Sequence, residues 1–206
     1  PPAAGRGRAG GGGRSVRIVL ATGNADKVAE LAPLLAGAEV EGAPPGFGPD
    51  ETGATMFQNA LIKASALRAA SGPEAVVVAD DSGLVVRALG GRPGIFSSRY
   101  AGPEATYEDN CRRLLRELEG ASDRRAAFVC VLVGLAGEER MLVAAGSCGG
   151  VIAPAMRGSG GFGYDPVFIP DGEPRPMAEM SRDEKAAISH RGRAARRLAS
   201  LLGLGG

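Results

Sequence analysis

The sequence has no tryptophan, one histidine, three cysteines and few aromatic residues, 4% in all. So sparse an aromatic supply argues against an extended stacking platform for single-stranded nucleic acid. Cys111, Cys130 and Cys148 form no C-x-x-C pair and are odd in number, which excludes a disulfide framework as the organising principle. A single histidine leaves too few partners for a Cys/His zinc site. Long apolar runs are also missing. The longest, Ala126 to Ala136, suits a buried strand and falls far short of the roughly 18 residues of a spanning helix. No membrane association is expected. No apolar leader-like stretch is visible near the N-terminus, so a reducing cytoplasm is the expected setting.

What remains is an ordinary globular composition: 206 residues, 44% hydrophobic and 23% charged. That length suits one domain. Glycine is abundant at 33 residues, with 14 prolines, so turns are numerous. The net charge is +1, but it is unevenly spread. Residues 1–17 carry Arg6, Arg8, Arg14 and Arg17 and no acid. Residues 181–200 carry six cations against Asp183 and Glu184. The rest is net acidic. Residues 1–14, all Pro, Gly, Ala and Arg, read as a disordered tail. No specific nucleic-acid partner is expected, since four arginines are a thin basis for one.

The hydrophobic pattern predicts alternating strands and helices. Residues 16–22 (VRIVLAT) and 74–80 (EAVVVAD) read as buried strands. Residues 25–35 read as a helix that Pro33 kinks or shortens. Residues 42–49 read as a loop, 54–71 as a long helix, 82–102 as turns, and 105–120 as an amphipathic helix ending at Gly120. Residues 125–135 and 139–147 predict a hairpin, 146–163 glycine-rich connections, 166–170 a short strand, and the C-terminal segment a helix. Crossovers together with a hairpin point to an α/β fold with a mixed sheet.

Five segments carry chemistry. Thr22 to Lys27 (TGNADK) lies at a strand-to-helix junction, where free N–H groups and a partial positive charge suit phosphate. Gly23 admits close approach, and Asn24 can cap the helix. Lys27 opposes the helix dipole, which a nearby anion would explain. Asp80 and Asp81 (ADDSG) sit at a strand end, the usual ligand side of an open α/β sheet. They read either as a ligand site or as a D-S-G turn; if the strand continues, the two carboxylates point to opposite faces. Glu51 (DETG) offers a second metal carboxylate or an electrostatic helix start. Asn59 and Lys63 share a helical face at i and i+4, a face more often solvated. Phe162 and Tyr164 place two rings in a glycine loop, Gly158 to Pro166, where one can stack on a base. Ser181 to Gly192 combines a capping box with Lys185, His190 and Arg191, which suit an anion or a base edge.

Taken together, ATGN–K, DETG, NA–KA, ADDSGL, ALGG-PGIFSSRYAG, GGFGYDPVF and AEMS-DEK–ISHRG closely resemble the inosine/xanthosine triphosphate pyrophosphatase family, from about Val16 to Leu202. The resemblance implies an elongated mixed β-sheet with flanking helices and two lobes around a central nucleotide-binding cleft, formed by residues 15–206. It implies a homodimer and Mg²⁺-dependent hydrolysis of deaminated purine nucleoside triphosphates (ITP, dITP, XTP, dXTP) to monophosphate and pyrophosphate. It assigns Thr22, Gly23, Asn24 and Lys27 to the triphosphate, with Lys63 and Lys185 adding phosphate contacts. Glu51 and Asp81 become the metal carboxylates and Asp81 the catalytic residue. Ser82 contacts substrate. Phe162, Gly163, Tyr164 and Asp165 hold the base, and His190 and Arg191 read its edge. The chain departs from the family pattern at Arg87, where an acid is usual, at Gln58, at Cys148–Gly149 and at Pro33. Two rivals stand beside this reading. One is a pyrophosphatase of the septum-formation-inhibitor type, against which G-F-G-Y-D-P and S-H-R-G argue. The other is a non-catalytic nucleotide-binding regulator.

Overall fold

The computed structural model describes residues 16–72 and 74–204; the Gly/Arg segment 1–14 lies outside them. The described residues form one six-stranded mixed sheet with helices on both faces. The strands are β1 (Val16–Leu20), β2 (Ala38–Gly42), β3 (Val76–Val86), β4 (Arg125–Ala136), β5 (Arg140–Ile152) and β6 (Phe168–Pro170). Their order is β2-β1-β3-β4-β5-β6. The first three run parallel and the remaining pairs antiparallel.

Five α-helices flank the sheet: α1 (Ala25–Leu31), α2 (Met56–Ser71), α3 (Tyr107–Glu117), α4 (Arg182–Ile188) and α5 (His190–Leu202). Pro33 shortens the first as expected: α-geometry stops at Leu31 and a 3-10 turn covers Ala32–Leu35. The single C-terminal helix is corrected to two. Ser189 breaks the run with an extended backbone and accepts from the Gly192 N–H, capping α5.

The strand side chains divide by the pleat. Ile18, Leu20, Val78, Cys130 and Leu132 meet Leu31 of α1 and Leu198 of α5. Val19, Val77, Ala79 and Val133 meet Ala60, Ala64 and Leu67 of α2. Further along the sheet, Leu84, Val86 and Phe128 pack with Leu114 of α3 and with Phe168.

Three strand assignments differ from expectation. β2 was not expected at all. It is an edge strand whose Glu39 and Glu41 alternate with half-buried positions, so it carries little apolar signal. β3 does not turn at D-S-G; it pairs with β4 from Val77↔Leu135 to Val86↔Ala126. Gly83 permits this, since a Cβ there would fall 2.2 Å from the Gly94 carbonyl oxygen. β5 runs through the expected glycine connection to Ile152. Gly146 lets α5 lie against it, because a Cβ would fall 2.2 Å from the His190 carbonyl oxygen.

Candidate active site

β1 ends at Leu20, which pairs with Val78, while β3 runs on past Val78. Asp81, just beyond this step, is therefore free of β1 and opens toward a cavity of about 300 Å³. Thr22 to Asn24, Lys27, Glu51, Lys63, Asp81 and Ser82 line one part of it, and Phe162 to Asp165, Lys185, His190 and Arg191 another. All fifteen residues that the resemblance assigns to the site thus border one pocket; Asp80 and Asn59, also singled out, do not.

Asp80 and Asp81 do point to opposite faces. Asp81 faces α2, where Lys63 Nζ lies 2.9 Å from Asp81 Oδ1 and 2.6 Å from Glu51 Oε1. Lys63 and Asn59 are both buried, so the expectation of a solvated helix face is corrected. They face inward because Asn59 Oδ1 accepts from the Gly53 N–H at 2.8 Å. That bond ties the DETG turn to α2 and brings Glu51 to Lys63. Burial pushes the Asp81 carboxyl above its ordinary range, and Lys63 offsets this only in part. Burial also acts on Glu51, but Lys63, Lys27 and Arg99 outweigh it and hold Glu51 below the usual carboxylate range. Burial would depress Lys63, yet Asp81 and Glu51 raise it. One buried atom of the trio, Asp81 Oδ2, has no hydrogen-bond partner among the described residues.

Asp80 faces α1 and α5. Its carboxylate meets Lys27 Nζ at 2.5 Å and Arg191 Nε at 3.0 Å, and accepts from Ser82 Oγ at 3.0 Å. This is the anion that explains a lysine in the first turn of α1. Burial alone would raise Asp80; Arg191 and Lys27 reverse the sign and hold it well below its ordinary value. Glu30 extends the network, with Arg191 Nη1 at 2.6 Å and Lys185 Nζ at 2.6 Å. Asn24 caps α1, accepting from the Asp26 and Lys27 N–H groups.

The aromatic part of the pocket is cationic. Lys185 pairs with Asp165, and Asp165 Oδ2 also accepts from the Phe162 N–H at 2.8 Å. Over the Phe162 ring lie Lys185 Nζ at 4.9 Å and Arg191 Cζ at 5.4 Å. Tyr164 is buried and donates to the Ser97 carbonyl at 2.9 Å. Its ring belongs to the core, which leaves Phe162 to face a ligand. His190 is buried and stacked on Phe128, with centroids 4.6 Å apart and planes 10° off parallel. Burial and the neighbouring Arg191 hold it well below its ordinary pKa, so it is neutral. Lys185, expected among the phosphate contacts, is grouped instead with Asp165 and Phe162.

The Ham1 family model matches residues 18–201. The chain belongs to the Ham1 family. It is 48% identical over 195 residues to a dITP/XTP pyrophosphatase of Shigella flexneri, covering 90% of this chain and 98% of that one. A dITP/XTP pyrophosphatase of Escherichia coli strain K12 is 46% identical over the same shares. Among solved structures, the Ham1 protein of Staphylococcus aureus superposes with a TM-score of 0.81 at 39% identity, covering 91% of this chain and 98% of that one. A nucleoside-triphosphatase, dITP/XTP pyrophosphatase, of Mycobacterium abscessus gives 0.70 at 39%, covering 92% and 100%.

Several residues in and behind this Ham1 pocket escape the sequence reading. Asp80 reads only as the partner of Asp81, and its anchoring role needs the third dimension. Glu30 is three residues after Lys27 on α1, a spacing that any helix surface shows. Tyr107, Asn110 and Phe128 border the pocket, and no motif marks them; Ser97 borders it too and lies in the PGIFSSRYAG segment. Arg87, one of the departures singled out in the sequence, pairs with Asp123 on the surface at 3.4 Å and does not border the pocket.

Proposed function

We propose that this chain hydrolyses deaminated purine nucleoside triphosphates, ITP, dITP, XTP and dXTP, to the nucleoside monophosphate and pyrophosphate. The observation that carries the reading is the polarity of one pocket. At one end Lys63 is clamped between two carboxylates; at the other an aromatic ring is backed by Lys185 and Arg191. A nucleotide has that same polarity, with phosphates at one end and a base at the other. The names carried by the relatives support the same substrate class.

The donor set at the phosphate end suits Mg²⁺. Glu51 and Asp81 supply hard oxygens, and Asp81 Oδ2 has no hydrogen-bond partner among the described residues. Two carboxylates, with water and substrate completing the shell, are how Mg²⁺ is usually held. When bound, the ion would offset charge on the phosphate oxygens. Lys63 and Lys27 place cations beside the same oxygens. The turn from Thr22 to Asn24, with Lys27, takes the triphosphate at the start of α1. Asp81 orients the attacking water and takes its proton, and its raised pKa favours that exchange. Most of the catalysis is positioning and electrostatics.

At the base end, Phe162 stacks on the purine while His190 and Arg191 face its edge. A donor aimed at a 6-oxo group is satisfied by hypoxanthine and xanthine. The 6-amino group of adenine would leave it unpaired, a penalty large enough for rejection. In this reading Lys185, paired with Asp165, serves this end. In this reading the chain works as a homodimer in the cytoplasm, and light scattering tests the assembly. Pyrophosphate release with Mg²⁺ from ITP, XTP, GTP, ATP and dTTP, side by side, tests the function. Preference for ITP and XTP is expected. Preference for dTTP, or no release from any of them, refutes the reading.

A further inference from the structure

Tyr107 is an aromatic residue that the fold does not need where it stands. It is the first residue of α3, and the start of that helix is already fixed by its neighbours. Thr106 accepts from the Asp109 N–H, and the Asp109 carboxylate accepts from the Thr106 N–H. This reciprocal box specifies the turn whatever side chain occupies position 107. Tyr107 nevertheless reaches across the mouth of the pocket. Asn24 Nδ2 donates to its hydroxyl oxygen at 3.0 Å, and the hydroxyl donates to Asp26 Oδ2 at 3.4 Å. Its ring lies 5.7 Å from the Phe162 ring, tilted by 46°. The side chain borders the pocket, yet Tyr107 remains 41% exposed.

Those contacts fix its place along a ligand. Asn24 belongs to the turn assigned to phosphate, and Phe162 to the loop assigned to the base. A ring that touches both lies over what joins them, the sugar and the near edge of the purine. A half-exposed ring gains most from a ligand that covers its open face.

We propose that Tyr107 is a substrate-contact and specificity residue for the sugar and base, clasped to the phosphate-binding turn through Asn24. The inference deepens the pyrophosphatase reading and rests on it. The test is calorimetric binding of ITP and of inorganic tripolyphosphate, in EDTA so that neither is turned over, to wild type, Tyr107→Phe and Tyr107→Ala. Loss of the ring should weaken ITP about tenfold, equal to about 1.4 kcal/mol. Tripolyphosphate, which has neither sugar nor base, should change less than about twofold. Tyr107→Phe keeps the ring and should stay within about threefold for ITP, which separates contact from misfolding. ITP binding to Tyr107→Ala within about twofold of wild type overturns the proposal. So does an equal loss for tripolyphosphate, since Tyr107 would then act only through Asn24. Pyrophosphate release by the wild type judges the underlying function separately: a chain that binds ITP without cleaving it refutes the enzyme, while the binding ratios still judge Tyr107.

Discussion

Replacing Asp80 by asparagine removes one negative charge from a buried ionic cluster and leaves the side-chain shape almost unchanged. The Asp80 side chain is fully inaccessible, and two cations depend on it, Lys27 at 2.5 Å and Arg191 at 3.0 Å. An uncompensated buried charge costs about 3–5 kcal/mol. Here the lower end applies. Arg191 keeps Glu30 at 2.6 Å, and the Lys27 side chain, 18% exposed, can turn toward water. A loss of about 3 kcal/mol with a urea slope of about 2 kcal/mol per molar lowers the unfolding midpoint by about 1.5 M. The pH dependence gives a second check. Native Asp80 is held well below its ordinary value by Arg191 and Lys27, against the opposing pull of burial. Its contribution is therefore complete above the unfolded pKa, about 3.9, and is lost as pH falls toward the native value. The gap between wild type and Asp80→Asn should be constant from about pH 5 to 8 and shrink below about pH 4. A midpoint shift under about 0.3 M, or a gap that does not shrink in acid, refutes the assignment of Asp80 as the anchor of these cations.

Three further outcomes are expected. Asp81→Asn should lower kcat at least about 100-fold while changing the urea midpoint little, because burial already disfavours the charged carboxylate and Lys63 keeps Glu51; near-normal turnover sinks its catalytic role. Gly83→Ala drives a Cβ to within 2.2 Å of the Gly94 carbonyl oxygen, so β3 and the 3-10 segment Gly94–Arg99 must part; overpacking of about 2 kcal/mol should lower Tm by about 6 °C, and an unchanged melt refutes the contact. His190, the one histidine of the chain, is neutral because burial and Arg191 depress its pKa. Its ring Cε1–H resonance should stay flat from pH 8 to 5, and stability should fall as pH drops below about 6.5, where only the unfolded chain gains the proton. A midpoint near 6.5 in the native spectrum contradicts this.

The parts of the fold that bury apolar runs were legible as sequence. Strands β1 and β4 and the first halves of β3 and β5 announced themselves by β-branched and apolar residues, and Pro33 marked the end of α1. Legibility failed where the determinant was a neighbour and not the segment itself. β2 is held by pairing with β1, and its alternating glutamates look like loop. D-S-G reads locally as a turn, but the ladder with β4 keeps it extended. Asn59 and Lys63 look solvated until Gly53, Glu51 and Asp81 are seen around them. The motifs located every pocket residue proposed from them, yet could not order those residues within the pocket. Lys185 belongs with the aromatic loop only because Asp165 and Glu30 hold it there.

The continuous course of β3 has a consequence for how this protein tolerates change. Asp80 and Asp81 are the same chemical group on adjacent residues, and only their parity along the strand separates the anchor from the acid proposed for catalysis. A slip of one residue against β4 would turn each to the other face. One acid would take the other's place, and Ala79 or Ser82 would fill the place left empty. Either Arg191 and Lys27 or Lys63 would then lose its acid. The pairing from Val77 to Val86 therefore acts as a reading frame. Single-residue insertions or deletions between Val76 and Asp80 should act as frameshifts of the site, more damaging to turnover than many substitutions at the acids' neighbours.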